Sequence, residues 1–452
     1  MSSYVTRKTP GDTAWFTHDR FGMFIHWGLY AMPARHEWIK TTAKITEEKY
    51  DKYFKYFDPD MYDAREWARQ AKAAGMKYAV LTTKHHEGFC MWDTQYTDYK
   101  CTNTPAGRDL VREFVDAFRA EGIHIGFYYS LIDWHHPEFP IDPNHPRRDD
   151  PDAYEQSKDR DVRKYAQYMR DQVRELLTNY GKIDVLWFDF SYSKDRGKGD
   201  KAWMRGKGKD DWESEELIAL ARELQPGIII DNRAEIEQDL WTPEQYQPTE
   251  WVRHAETGEL VVWEACQTFS GSWGYYRDEM TWKSPEMLIR MLVNTVSIGG
   301  NLLMNVGPTS RGYFDARAEK ALKVYADWMK DNSRSIYGCT MAEPDILKAL
   351  PANCRFTQSE DGKRLYLHMF AYPFGHMLLK GLAGKVEYAQ FLHDGSEVLF
   401  NAGGRQEEQV EVNKDADLAA LTLPLAGQDV LILKLPPVKP DVLVPVIELI
   451  LK

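Results

Sequence analysis

The sequence is poor in the features that commit a chain to thiol, metal or membrane chemistry. Five cysteines occur in 452 residues, Cys90, Cys101, Cys266, Cys339 and Cys354, and none form a CxxC pair. An odd, scattered set counts against a zinc ribbon and a disulfide framework, and fits reduced thiols in a cytoplasm. No apolar run is long enough for a bilayer, and the opening MSSYVTRKTPGDTAWF has neither an apolar core nor a small-residue cleavage site. No membrane partner is therefore expected, and the expected location is cytoplasmic. No Gly-rich phosphate fingerprint follows the first apolar strand, no G-x-S-x-G elbow occurs, and no HxH pair marks an early strand. These gaps count in turn against a nucleotide-binding open sheet, a serine hydrolase and a metal-dependent barrel hydrolase. Surplus positive charge is missing too. A net charge of −12 disfavours a nucleic-acid partner.

Aromatic residues, by contrast, are abundant, with 15 Trp and 25 Tyr. Most such rings fill cores. The same excess lines sugar-binding clefts, where ring faces stack on the C–H-rich faces of sugars.

From residue 20 to 335 short apolar runs alternate with helical patterns. FGMFIHWG, KYAVLTTKHH, IHIGFYYS, KIDVLWFDF, IIIDNR, LVVWEACQTF and NLLMNVG read as strands. Helices are predicted over 63–75, around Leu110 to Phe118, and over 152–180, 212–224, 285–298 and 315–332, with Gly75, Gly122 and Gly181 as stops. Near-continuous apolar strands separated by helices mean a parallel sheet covered on both faces. Seven units are visible and favour a (β/α)8-type barrel over 1–340, with an open doubly wound sheet as the alternative; no eighth strand stands out. Segment 193–211, SKDRGKGDKAWMRGKGKDD, breaks the rhythm and reads as a solvated mobile loop on the face where a lid would sit. After residue 340 short alternating runs such as RLYLHMFAY, HMLLKGL, VEYAQFL, EVLF, QVEV, LTLPL and DVLILKL predict an antiparallel β-sandwich over 341–452, joined through AEPDILKALPAN.

Polar groups recur where the strands end: His26; His85, His86 and Glu87; Tyr128, Tyr129 and Ser130; Asp189; Asp231, Asn232 and Arg233; Glu264; and Asn301 to Asn305. In a barrel these ends share one mouth, and polar groups are costly to desolvate without a use. Adjacent His85 and His86 should project to opposite sides of a strand, which makes joint chelation awkward, so no metal is expected. Asp189, Glu244 and Glu264 provide carboxylates among aromatic and hydroxyl-binding groups, the equipment for glycoside hydrolysis.

The motifs carry this further. WFTHDRFGMFIHWGLYAMPARHEW, KYAVLTTKHHEGFCMWDTQYTDY, GFYYSLIDWHH, DVLWFDF, WEACQTFSGSWGY and GGNLLMNVGPTSRGYFD resemble signatures of the α-L-fucosidase family of retaining glycoside hydrolases. The resemblance spans residues 15–315, and the tail matches only in kind. It implies hydrolysis of terminal α-L-fucosyl residues by double displacement, without a cofactor, on a fucosylated oligosaccharide or glycoconjugate. Asp189 matches the nucleophile; the family often has Gly next, where this chain has Phe190. His26, Glu37, Trp38, His85, His86 and Tyr129 match groups that bind fucose hydroxyls and line the subsite. Trp187 and Trp273 match its aromatic walls, and Arg233 an arginine near the acid. Two residues compete as acid/base, Glu244 and Glu264, with Glu244 favoured because a loop residue reaches a leaving group from the mouth. A non-catalytic sugar-binding barrel and a retaining glycosidase for a related sugar stand as alternatives. A homo-oligomer is compatible with the sequence.

Overall fold

A carboxylate starts most of the long helices and a glycine follows several of them. Asp63, Asp109, Asp161 and Asp315 cap the first turns of Ala64–Ala73, Leu110–Ala120, Val162–Asn179 and Ala316–Asn332, each accepting backbone N–H bonds. Gly75, Gly122 and Gly181 follow the first three at φ of 83°, 74° and 73°, a left-handed turn that costs glycine little and aims the chain into the next strand. The computed structural model describes residues 3–402 and 429–452. The tail runs QVEV and LTLPL lie outside them.

Two predicted helices are broken. The 152–180 pattern divides into Ala153–Ser157 and Val162–Asn179, because Asp161 is extended in order to cap the second piece. The 212–224 pattern divides at Glu213, whose φ of 48° separates Lys209–Trp212 from Ser214–Leu224.

Seven strands form one parallel sheet: β1 (Phe21–Ile25), β2 (Tyr78–Lys84), β3 (His124–Ser130), β4 (Val185–Asp189), β5 (Ile229–Ile230), β6 (Glu264–Thr268) and β7 (Asn301–Val306), in the order β5-β4-β3-β2-β1-β7-β6. β1 sits mid-sheet, paired in parallel with both β2 and β7. The sheet curls. Its two edges are linked by residues 240–244, which make parallel bridges from Leu240 to Asp231 beyond β5, and from Trp241 and Glu244 to Trp263 and Cys266 at β6.

Alternation along the strands separates two apolar clusters. Phe24, Tyr78, Val80, Tyr128, Val185, Trp187, Ile229, Leu240 and Leu303 fill the inner face. Met23, Ile25, Ala79, Leu81, Phe127, Tyr129, Leu186 and Phe188 face outward into the cluster shared with the helices.

The tail forms two antiparallel sheets. β8 (Cys339–Met341), β9 (Cys354–Ser359), β10 (Arg364–Met369), β12 (Val386–Phe391) and β15 (Val446–Leu451) make one, in the order β12-β15-β10-β9-β8. β11 (His376–Lys380), β13 (Phe400–Ala402) and β14 (Val430–Lys434) make the other, in the order β11-β14-β13. One apolar cluster draws on both, including Phe356, Leu367 and Leu449 from the larger sheet and Leu379, Leu431 and Leu433 from the smaller. β8 lies ahead of AEPDILKALPAN and already pairs with β9. Segment 193–211 has internal order: Arg196 and Arg205 bridge in antiparallel fashion, and Met204 is buried with Ile141 and Ala153.

Candidate active site

A cavity of about 390 Å³ opens beyond the strand ends on the inner face, lined by Phe24, His26, Glu37, Trp38, His85, His86, Tyr128, Trp187, Asp189, Phe190, Arg233, Glu244 and Trp273. Sequence reasoning gave a site role to ten of these thirteen and placed Tyr128 at the same mouth. Phe24, Tyr128 and Phe190 complete the lining, and Tyr129 and Glu264 lie outside it.

Two carboxylates meet on one arginine. Arg233 Nη1 donates to Asp189 Oδ1 at 2.8 Å and to Glu244 Oε2 at 2.7 Å. These two legs set a ceiling of about 5.5 Å on the separation of the two oxygens. Asp189 is the last residue of β4, and its Oδ2 accepts a 2.7 Å bond from the Tyr128 hydroxyl. His86 Nε2 lies 3.9 Å from the same oxygen. The Glu244 side chain is 44% exposed, against 13% for Asp189, so Glu244 stands at the opening. Arg233 is fixed independently of both acids. Its Nε donates to Thr242 Oγ1 at 2.9 Å, its Nη2 to the Thr242 carbonyl at 3.2 Å, and its guanidinium carbon lies 4.4 Å from the Trp187 ring centroid. Burial lowers the Arg233 pKa, but the opposing charge, Asp189 foremost, outweighs it and the net shift is upward. Asp231, beneath, is fully buried and its pKa is pushed well up by burial, while its Oδ1 accepts the Phe188 and Arg233 N–H groups at 3.3 Å.

The histidines are not arranged as alternation predicts. β2 ends at Lys84, so His85 and His86 lie in the turn beyond it, and both line the cavity with ring centroids 3.9 Å apart. Gly88 makes that turn at φ 85°, where an added Cβ would collide with Asp133. Glu87 turns away and accepts bonds from the Leu29 N–H at 3.0 Å and from the Tyr50 hydroxyl. Burial pulls His26 and His86 down to about 3, and His85 well below its usual value. All three are therefore neutral near pH 7, each with one donor and one acceptor nitrogen. His26 Nδ1 pairs with Asn305 Oδ1 at 2.7 Å and His86 Nδ1 with Ser130 Oγ at 2.8 Å, whereas the buried His85 Nδ1 has no protein partner among the described residues. Glu37 accepts the Gly274 N–H at 2.8 Å, with its pKa raised by burial.

One sequence expectation is corrected, and the less favoured acid candidate is buried. Tyr129 does not line the cavity: it shares the outer face with Phe127 and donates to Gln172 at 2.8 Å, with Lys84 over its ring. The inward residue is its neighbour Tyr128, one step along the pleat. Glu264 opens β6 in the closed interior, 0% exposed, accepting from Trp187 Nε1 at 3.2 Å and from the Tyr78 hydroxyl. Phe190 follows Asp189 at φ 80°, in the left-handed region, and packs on Trp38, His86 and Tyr192. A Cβ in that region costs about 1–2 kcal/mol.

The family model for alpha-L-fucosidase matches residues 2–334. Human plasma alpha-L-fucosidase is 31% identical over 374 residues, which cover 74% of this chain and 70% of that protein. Among solved structures, alpha-L-fucosidase isoenzyme 1 from Paenibacillus thiaminolyticus superposes with a TM-score of 0.84 at 44% identity, over 97% of this chain and 98% of that one. An alpha-L-fucosidase from Bacteroides thetaiotaomicron, solved as a trapped covalent intermediate with 2-fluoro-fucosyl fluoride in a glutamate-to-glutamine mutant, gives 0.76 at 26% identity, over 99% and 98% of the two chains. The chain belongs to the alpha-L-fucosidase family and is a glycoside hydrolase.

Proposed function

We propose that the enzyme hydrolyses terminal α-L-fucosyl residues with retention, through a covalent fucosyl ester on Asp189 and with Glu244 as acid and then base. The observation that carries this is the single nitrogen of Arg233 that reaches both carboxylates. Retaining glycosidases hold their carboxyl groups about 5–5.5 Å apart, whereas inverting enzymes need a gap wide enough for water.

In the first step an Asp189 oxygen bonds to the anomeric carbon as the bond to the leaving oxygen breaks, and Glu244 protonates that oxygen. In the second, water gives a proton to Glu244, its oxygen bonds to the anomeric carbon, and the Asp189 ester opens. The neutral rings of His26, His85 and His86 direct hydrogen bonds at ring hydroxyls. Trp38, Phe190 and Trp273 wall the sugar and exclude water. Glu244 suits the acid better than Glu264 because it lines the open cavity. Glu264 has both oxygens committed to Tyr78 and Trp187. On this reading the seven-strand sheet and segment 240–244 make a (β/α)8-type barrel over 1–340, and the tail sheets make a β-sandwich over 341–452.

Nitrophenol release from p-nitrophenyl α-L-fucoside, by the wild type and by Asp189→Gly, tests the proposal. Turnover should be lost by roughly 10⁴–10⁶-fold in the variant. Full activity in Asp189→Gly would remove the nucleophile, and a β-configured first product by NMR would remove retention.

A further inference from the structure

We propose that Lys84 and Asp133 are a pair of positioning residues that set the His85–His86 turn against the sugar; this rests on the function proposed above. Neither lines the cavity. Their side chains are 0% and 2% exposed, and Lys84 Nζ lies 3.1 Å from Asp133 Oδ2. A buried pair of this kind gains little stability over an apolar filling of the same volume. What it supplies is a fixed point, and the chain is arranged to use one. The register of β2 against β3 skips Thr83, so that Thr82 opposes Tyr128 and Lys84 opposes Tyr129. The extra residue carries Lys84 to the outer face, out of the alternation that would aim it inward. There its ammonium donates to the Tyr165 hydroxyl at 3.2 Å and lies 4.5, 5.3 and 5.4 Å from the ring centroids of Tyr129, Tyr165 and Tyr168. The helix Val162–Asn179 therefore anchors the last residue of β2. Asp133 anchors the facing loop. Its Oδ1 accepts the N–H groups of His135 and His136 at 2.9 Å each, and the same atom leaves no room for a Cβ on Gly88. The turn so formed points the Trp134 N–H at the His86 carbonyl, 2.9 Å away, and sets the Trp134 ring 5.6 Å from the His86 ring. Lys84 thus fixes the residue before His85, and Asp133 fixes the residue that holds His86. One ion pair ties the two loops together, and with them the two rings that face the sugar.

Lys84→Met, Asp133→Asn and the double variant test this on p-nitrophenyl α-L-fucoside, with L-fucose binding followed by calorimetry. Asp133→Asn keeps an oxygen for the two N–H groups. Each single variant should raise KM and the L-fucose Kd about tenfold and lower kcat by no more than about threefold, the signature of lost uniform binding. Each also leaves a buried charge unpaired and should melt well below the wild type. The double variant leaves none. It should recover most of the lost melting temperature while KM and Kd stay raised, and it carries the test if a single variant does not fold. KM and Kd that return with stability would reduce the pair to a structural prop and overturn the proposal, as would a wild-type KM in all three variants. A wild type that neither turns over the fucoside nor binds L-fucose would instead overturn the underlying function.

Discussion

Glu244 and Glu264 are the same residue type, twenty positions apart, and sit on opposite sides of one stack. Glu264 lies below Trp187 and accepts its indole N–H; Arg233 lies on the ring face of Trp187 and carries Glu244 toward the opening. Below, burial raises the carboxyl to about 7 and two donors fix it. Above, the side chain is nearly half exposed and free to meet a leaving group. Position relative to the strand ends, rather than chemistry, separates a sealed carboxyl from an accessible one.

Removing each acid tests that contrast most strongly. Glu244→Ala should lower kcat by about 10²–10⁴-fold on a fucosylated disaccharide, and by much less on an aryl fucoside whose leaving group scarcely needs a proton. Glu264→Ala should show no such dependence on leaving group. It should cost about 1–3 kcal/mol in denaturant melts, by orphaning the Tyr78 and Trp187 donors. The reverse pattern would exchange the two roles.

The tyrosine pair extends the comparison to the two faces of β3. Tyr128→Phe removes a hydrogen bond to Asp189 and should lower kcat/KM about tenfold. Tyr129→Phe should leave kinetics alone and cost about 1 kcal/mol through its lost bond to Gln172.

A last contrast concerns pH and the lower acid. The folded value for Glu264, about 7, lies above its ordinary 4.5, so its contribution to stability is complete below pH 4.5 and is lost as pH rises through 7. Wild type should therefore lose more stability than Glu264→Gln between pH 5 and 8, by up to about 3 kcal/mol in urea melts at the two pH values. Equal losses would mean that the Glu264 carboxyl titrates at the same pH in the folded and unfolded chain, contrary to the raised folded value.

Much of this site was legible in the chain itself. Strand ends are visible as apolar runs giving way to polar residues, so His26, Asp189 and Arg233 could be placed at one mouth before any coordinates. What misled was the last step of each strand. On a β2 continued through His85 and His86 alternation parts the two rings, but the pleat stops at Lys84. The family resemblance assigns Tyr129 rather than Tyr128 to the subsite, and two adjacent tyrosines offer no phase of their own against which to check it; only the packing of β3 against Val162–Asn179 sets which one faces outward. In the tail the pattern singles out the runs of β10, β11, β12 and β14 but not β9 and β15.

The sequence by itself determined the β/α rhythm, the capped helices, the acid-rich strand ends and the family, because these depend on local periodicity and on residue types at fixed spacing. Tertiary structure alone decided that Arg233 joins Asp189 to Glu244, that Glu264 is sealed beneath Trp187, and that residues 240–244 link the edges of the sheet. Those facts depend on distances between segments far apart in the chain. Such distances follow from how the whole sheet curls, which no local pattern encodes.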